Sequence, residues 1–244
     1  MSLRAESLAI ASRLAGVTAQ LRAGEIAAIC GPNGAGKSTL TQALAGLLEA
    51  DSGTVLLDGK PLTQIHPQQR ARRIGYLPQE PSVAWDVSVR KLVALGRLPH
   101  RGAGGDEAAI NRAMDALDLH PLAGRPASRL SGGERARALL GRVLAGEPDW
   151  ILADEPLAAL DLAHQLTLLA HLRTQAERGT GIALVLHDLA LAMNHADRVL
   201  VLDEGRLVAD GASEIALSTD VIEDVWHVEA RWLGEPGARA LAAR

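Results

Sequence analysis

The glycine-rich segment at residues 31–39, GPNGAGKST, is the feature that most constrains how this 244-residue chain can fold. It fits the pattern G-x-x-x-x-G-K-[S/T], in which backbone N–H groups and a lysine surround a phosphate group. A continuous apolar run at residues 25–30 precedes it, and apolar residues at helical spacing follow it until the DSG at residues 51–53. This strand–loop–helix context favours a phosphate-binding loop in an α/β domain over an ordinary tight turn.

The loop carries the groups that a nucleotide needs. Lys37 is expected to neutralise the β- and γ-phosphate oxygens, and the Ser38 hydroxyl to bind Mg²⁺. The backbone amides of residues 33–38 would surround the β-phosphate. The predicted nucleotide-binding residues of this segment are Gly31, Pro32, Asn33, Gly34, Ala35, Gly36, Lys37, Ser38 and Thr39.

The remaining apolar runs predict a mostly parallel sheet that is interrupted by helices. A hairpin is expected after the last run, where DEG is followed by RLVADG. From about residue 85 to residue 147 the apolar positions follow helical spacing instead, with Asp106 as a predicted helix N-cap. We therefore expect an α/β core, about residues 1–84 and 148–244, and an inserted helical segment. The predicted buried strands are WILA at 150–153, IALVL at 182–186 and VLVL at 199–202.

Acidic and histidine side chains follow two of these strands. Asp154 and Glu155 come directly after WILA, and His187 comes after IALVL. Ligands of such sheets bind at the carboxyl ends of the strands, so Asp154 is a candidate Mg²⁺ ligand and Glu155 a candidate base that orients a water molecule. Taken alone, a histidine at position 187 is more often a capping or core residue than a functional one. Gln79, in the segment YLPQEP, would by itself be an ordinary loop residue.

A second glycine-rich segment, LSGGE at residues 130–134, poses a question because one phosphate loop is already present. Ser131 and Glu134 have the spacing of a helix capping box. Gly132 and Gly133 would leave backbone amides at the start of that helix free to bind an anion. The two interpretations are compatible, since a capped helix still presents its dipole and its remaining amides.

Composition excludes several classes of protein. The net charge is −4 with a pI near 6.1. A nucleic-acid-binding protein of this size usually has a basic stripe, and this sequence has none. The single cysteine, Cys30, cannot form an internal disulfide, which is typical of a reducing compartment. No run approaches the roughly 18 apolar residues of a membrane span, and no targeting segment is evident. We therefore expect a cytoplasmic location.

Taken in order, these segments resemble the nucleotide-binding subunits of ATP-binding-cassette (ABC) transporters, for which LSGGE after a phosphate loop is specific. The resemblance extends from about Val17 to the end of the chain. It implies an α/β fold with a RecA-like P-loop NTPase core, whose mostly parallel sheet has an antiparallel β part, and an α-helical subdomain that carries LSGGE. It also implies ATP and Mg²⁺ as cofactors.

The same resemblance implies roles for individual residues. Lys37, Glu155 and His187 would be catalytic, and Ser38, Gln79 and Asp154 would bind the metal. Two subunits would form a head-to-tail homodimer around two ATP molecules. In that dimer, each nucleotide held by one subunit's phosphate loop would also be bound by the other subunit. The residues that the other subunit supplies would be Ser131, Gly132, Gly133 and Asp161.

The segments at residues 92–101 and 160–165 and the tail STDVIEDVWHV resemble the subgroup that imports iron–siderophore complexes, haem or vitamin B12. This implies two transmembrane permease subunits as partners, docked near Trp85, Asp86 and Val87, and indirectly a substrate-binding protein. The chain would then lie peripherally on the inner face of the cell membrane. The alternatives are an importer ATPase for metal ions or another solute, and a soluble ABC-type ATPase that is not linked to transport.

The chain departs from the family pattern at two places. No aromatic residue precedes Tyr76, although the family usually stacks one on adenine upstream of the phosphate loop. Adenine would then rest on apolar side chains or on Arg13, and base selectivity would be loose. The first hairpin is also expected to be shortened. In addition, Leu157 and Ala158 stand where Thr and Ser are most common, which removes possible hydrogen bonds at the dimer interface.

Overall fold

The strand that leads into the phosphate loop lies inside a six-stranded sheet in the computed structural model, which describes residues 1–79, 86–100, 105–158 and 160–243. The strands are β1 (Ser2–Ile10), β2 (Leu14–Arg22), β3 (Ile26–Cys30), β4 (Ser52–Leu57), β5 (Lys60–Pro61), β6 (Ile74–Leu77), β7 (Trp150–Asp154), β8 (Gly181–Val185), β9 (Arg198–Asp203), β10 (Arg206–Gly211), β11 (Ala230–Leu233) and β12 (Ala240–Ala243). The helices are α1 (Lys37–Leu44), α2 (Pro67–Arg73), α3 (Val89–Ala94), α4 (Asp106–Ala116), α5 (Gly132–Ala145), α6 (Leu162–Glu177), α7 (Leu189–His195), α8 (Ser213–Ala216) and α9 (Thr219–Trp226).

The six-stranded sheet has the order β10-β9-β3-β8-β7-β6. Its five neighbouring strands from β9 to β6 are parallel, and β10 pairs with β9 in the antiparallel sense. Every residue of β3, β7 and β8 is buried, because both faces of the sheet are covered. These pairings confirm the predicted α/β fold, its parallel strands and the hairpin after VLVL.

Alternate residues of β3 enter two separate hydrophobic cores. Ala28 and Cys30 face the core that includes the helices between β6 and β7, whereas Ala27 and Ile29 face the second sheet and α1. That second sheet is antiparallel, in the order β2-β1-β4-β5. The strand that leads into the phosphate loop is thus packed on both of its faces.

The first hairpin, which is predicted to be shorter than is usual in the family, has two long strands and a short turn. Strands β1 and β2 each have nine residues, joined by a turn at residues 11–13. The turn is tight, since the amide of Arg13 donates to the carbonyl of Ile10 at 2.8 Å. Few residues therefore separate the two strands, and the shortening relative to the family stays a prediction.

Two predicted helix boundaries also need correction. Helix α1 ends at Leu44 instead of continuing to Leu48, because Gly46 adopts φ 69°, and Leu47 is left 57% exposed. The N-cap of α4 is Gly105, at φ 75°, and Asp106 is the first helical residue. The carboxylate of Asp106 instead accepts a hydrogen bond from Arg97 Nε at 2.9 Å.

Helices α3, α4 and α5 lie between β6 and β7 in sequence and pack on one another around Leu92, Met114 and Leu140. This agrees with helical spacing over residues 85–147, although a separate subdomain with those boundaries stays a prediction. Residue Trp85 of the expected docking segment lies outside the described residues. No helix in the described part of the chain is long and apolar enough to cross a membrane.

Candidate nucleotide-binding site

The phosphate loop connects the carboxyl end of β3 to the first turn of α1, and its backbone requires glycine at two positions. A Cβ atom on Gly31, at φ 148°, would lie 2.1 Å from the carbonyl oxygen of Leu202. A Cβ atom on Gly36, at φ 98°, would lie 2.6 Å from the carbonyl oxygen of Arg13. Both positive φ values are also unfavourable for other residues. The glycines of the motif therefore fit the loop between β9 and the β1–β2 turn.

The ammonium group of Lys37 lies at the centre of this loop. It donates hydrogen bonds to the carbonyl oxygens of Gly31 and Pro32, both at 2.8 Å, and the residue is 5% exposed. Burial lowers the pKa of Lys37, whereas the nearby carboxylates of Glu155 and Asp154 favour the charged form. A buried ammonium group at this position is suited to neutralising a phosphate oxygen.

An open cavity of about 790 Å³ lies over the loop. It brings together predicted site residues from four separate parts of the chain: the loop itself, the end of β6, the end of β7 and the end of β8. Its lining residues are Ser12, Arg13, Asn33, Gly34, Gly36, Lys37, Ser38, Thr39, Gln79, Glu155 and His187.

Two of the predicted metal ligands are in direct contact. The Ser38 hydroxyl donates to Asp154 Oδ1 at 3.1 Å, across 116 residues of sequence. Asp154 is 2% exposed, and burial raises the pKa of its carboxyl, an effect that the hydrogen bond from Ser38 opposes. The third, Gln79, is exposed and lines the same cavity. A hydroxyl, a carboxylate and an amide oxygen are all oxygen ligands of the kind that Mg²⁺ prefers.

Glu155 and His187 form a pair at the edge of the cavity. His187 Nε2 lies 2.5 Å from Glu155 Oε1, because the two residues follow the neighbouring parallel strands β7 and β8. Glu155 adopts φ 51°, an uncommon conformation for a residue with a side chain. The histidine side chain is 44% exposed, so the structure does not support a core role for it.

The second glycine-rich segment lies outside this cavity. Ser131 is the N-cap of α5, where its hydroxyl accepts from the amide of Glu134 at 3.3 Å and its own amide donates to Glu134 Oε2 at 2.8 Å. The predicted capping box is therefore confirmed. The backbone hydrogen bond from Ser131 lowers the pKa of Glu134, whose carboxylate also accepts from Arg125 at 3.1 Å. Ser131 and Gly132 are exposed.

Asp161 begins α6 and contacts a histidine to which the sequence assigned no role. Asp161 Oδ1 accepts from the amide of His164 at 2.9 Å and lies 2.7 Å from His164 Nδ1. These contacts lower the pKa of Asp161, the backbone hydrogen bond most strongly. A Cβ atom on Gly133 would lie 3.3 Å from the imidazole ring of His164. His164 thus connects the loop of Asp161 to the LSGGE helix, and only its position three residues after a helix-capping aspartate could have indicated it.

The cysteine that ends β3 is buried beside the site. Burial raises the pKa of the Cys30 thiol to about 12, so the group is not a nucleophile at neutral pH. Among the described residues, Cys30 belongs to no cluster of metal-binding side chains.

Comparison with known proteins identifies the family. A model of the ABC transporter family matches residues 14–158. The chain belongs to the ABC transporter family. Two curated relatives are hemin import ATP-binding proteins HmuV. The one from Nocardia farcinica is 48% identical over 88% of this chain and 75% of its own length, and the one from Myxococcus xanthus is 46% identical over 89% and 86%.

This ABC transporter chain also matches solved structures of the family. One is an ATP-binding cassette of an ABC transporter in its ADP conformation, with a TM-score of 0.82 and 25% identity, which covers 93% of this chain and 98% of that one. The comparisons confirm the predicted family and the P-loop NTPase fold. The chain is accordingly an ABC-type ATPase, and the ligand of such domains is ATP or ADP.

Proposed function

We propose that this chain is the ATP-hydrolysing subunit of an ABC importer that takes up haem or a related iron chelate. One observation carries the ATPase part of the proposal: Ser38, which is hydrogen-bonded to Asp154, and the pair Glu155–His187 line one cavity together with Lys37. Phosphoryl transfer depends mainly on positioning and on neutralising charge, and this set supplies both. The haem part rests on the relatives named for hemin import.

The proposed chemistry divides among the side chains of the cavity. Lys37 neutralises the β- and γ-phosphate oxygens of ATP, and the amides of the loop hold the β-phosphate. Glu155 accepts a proton from the water that attacks the γ-phosphate. His187, held against Glu155 at 2.5 Å, keeps that carboxylate in position and reaches the γ-phosphate.

Ser38, Asp154 and Gln79 fit a Mg²⁺ ion, since the contact at 3.1 Å already places a hydroxyl and a buried carboxylate side by side. The ion would supply positive charge to the β- and γ-phosphate oxygens. Because its positive charge stabilises a nearby carboxylate, Mg²⁺ would also offset the raised pKa of Asp154 and favour its ionised form.

We further propose a head-to-tail homodimer. The LSGGE loop presents Gly132 and Gly133 amides at the positive end of α5, a site suited to an anion. These residues are not part of the cavity over their own phosphate loop. The phosphate that they bind is therefore held by the second subunit, with Asp161 beside them through His164.

Two transmembrane permease subunits are the proposed membrane partners, and a substrate-binding protein acts indirectly. Support comes from the relatives named for hemin import, at 48% and 46% identity. The proposed docking segment includes Asp86 and Val87. The carboxylate of Asp86 accepts a hydrogen bond from the hydroxyl of Ser128 at 2.7 Å. The chain would lie on the inner face of the cell membrane.

The catalytic assignment is tested by Glu155→Gln. We expect ATP turnover to fall by about 10²- to 10⁴-fold, the usual contribution of a general base, while ATP binding persists. The variant should also accumulate as an ATP-dependent dimer, measured by size-exclusion chromatography with light scattering. Glu177→Gln, at the exposed end of α6, is the matched control and should behave as the wild type. A Glu155 variant that turns over normally, or stays monomeric with ATP, would contradict the assignment.

The transport assignment needs a separate test. The tagged chain is purified from native membranes in mild detergent and its partners are identified by mass spectrometry. We expect to recover a polytopic membrane protein in an amount equal to that of this chain. Vesicles that contain the complex should transport hemin only when ATP is present on the side of the membrane that carries this chain. Recovery of no membrane protein would indicate an ATPase that is not linked to transport.

A further inference from the structure

The order of the strands gives the nucleotide cavity two different ends. Glu155 follows β7, His187 follows β8 and Gln79 follows β6, and all three strands lie on one side of β3. The β9–β10 hairpin lies on the other side of β3. We call the end of the cavity at Glu155 the acidic end and the end at the β9–β10 hairpin the hairpin end. Because adjacent strands are about 4.8 Å apart, these two ends are separated by several strand widths.

The turn between β1 and β2 lies at the hairpin end. The amide of Ala15 donates to the carbonyl of Gly205, in the β9–β10 turn, at 2.8 Å. A Cβ atom on Gly205 would lie 2.7 Å from the carbonyl oxygen of Arg13. The same carbonyl limits the space at Gly36, so this turn packs directly on the phosphate loop.

The turn is fixed in position while one of its side chains is left available. The amide of Ala11 donates to Asp51 Oδ2 at 2.6 Å, and the Ser12 hydroxyl donates to the carbonyl of Ala11 at 2.7 Å. Arg13 is exposed and lines the cavity. Over the described ranges, no carboxylate lies within ion-pair distance of its guanidinium group.

We propose that Arg13 binds the nucleobase by stacking its guanidinium group on the ring. This rests on the proposed function, which places the γ-phosphate beside Glu155 and His187, at the acidic end of the cavity. The base of the same nucleotide then extends toward the opposite end, where Ser12 and Arg13 form the wall. No aromatic side chain is among the described residues that line this cavity.

A planar guanidinium group stacks on aromatic faces, and it provides the flat surface that the cavity otherwise lacks. Every base has a π face, so such stacking discriminates little between adenine and guanine. Arg13 therefore sets a loose base selectivity, with similar affinity for ATP and GTP.

The test measures equilibrium binding of ATP, GTP and inorganic tripolyphosphate, each with Mg²⁺, to the full chain. Tripolyphosphate reports on the phosphate loop without a base. Arg13→Ala should weaken both ATP and GTP by about 3- to 30-fold, the range of a cation–π contact, and leave tripolyphosphate binding unchanged. Arg13→Lys should recover only part of this affinity, because lysine keeps a cation that can lie over the base but has no planar group to stack on it. Arg22→Ala, an exposed arginine at the far end of β2, is the control and should bind all three ligands as the wild type does.

Four results would overturn the proposal. Equal weakening of tripolyphosphate would make Arg13 a phosphate ligand, and wild-type affinity in Arg13→Lys would reduce its role to charge. Unchanged nucleotide affinity in Arg13→Ala would exclude the contact. If the wild type binds tripolyphosphate but neither nucleotide, the base-binding role alone is wrong. Failure of the wild type to bind any of the three would overturn the proposed function itself.

Discussion

The phosphate loop and the LSGGE loop both begin helices, yet they treat the first amides of those helices differently. Helix α1 has Gly36 as its N-cap, in a left-handed conformation and with no side-chain cap. Helix α5 has a complete capping box from Ser131 and Glu134. The first loop thus leaves its amides open to a ligand, whereas the second satisfies part of its amides internally and remains ordered by itself.

The surroundings of the two loops differ as well. Lys37 is 5% exposed and is accompanied by Asp154 at 2%, both inside one chain. Ser131 and Gly132 are exposed, and the carboxylate closest to them belongs to the cap. One loop therefore forms most of a nucleotide site, and the other has the features of a part that a second subunit completes.

The largest expected effect comes from removing the cation of the first loop. Lys37→Ala should reduce ATP turnover by at least about 10²-fold, since a buried charge that neutralises the transferred phosphate is lost. Nucleotide binding, followed with a fluorescent ATP analogue, should weaken in parallel. Lys60→Ala, on the exposed strand β5, is the control and should leave both measurements unchanged. Normal turnover without Lys37 would show that the first loop is not the catalytic one.

A mixture of two inactive variants tests whether the loops act across two subunits. Lys37→Ala and Ser131→Arg should each abolish turnover as pure proteins. In a head-to-tail dimer of one of each, both defects fall in the same site and the other site keeps Lys37 and Ser131 intact. Activity should therefore return on mixing, measured by phosphate release. No recovery, although mixed dimers form, would argue for a site completed within one chain.

The smallest expected effect concerns the contact between the LSGGE helix and the loop of Asp161. His164→Ala removes the side-chain contact to Asp161 at 2.7 Å but retains the backbone hydrogen bond at 2.9 Å. Loss of one hydrogen bond of about 1 kcal/mol should lower turnover roughly fivefold. ATP binding by the single subunit should stay the same, and His164→Asn, which keeps a donor, should be affected less. Equal loss of ATP binding would mean that His164 acts on the first loop instead.

Much of the site could be predicted from sequence because its chemistry is local. The spacing of Gly31, Gly36 and Lys37 describes one turn of backbone, and the capping box depends on residues only three positions apart. Errors arose where nearby geometry decides the outcome. The helical pattern extended through Leu47 and Leu48, but the left-handed conformation of Gly46 ends α1 at Leu44.

The phosphate loop, the buried strands, the capped LSGGE helix and the family could all be predicted from the order of the residues. The contacts between distant side chains follow only from the folded chain: Ser38 with Asp154, Glu155 with His187, and the β1–β2 turn with Gly36. The physical reason is that short-range spacing fixes a loop or a cap, whereas the strand order β10-β9-β3-β8-β7-β6 depends on packing between segments far apart in the chain. That order also gives the cavity an acidic end and an arginine end.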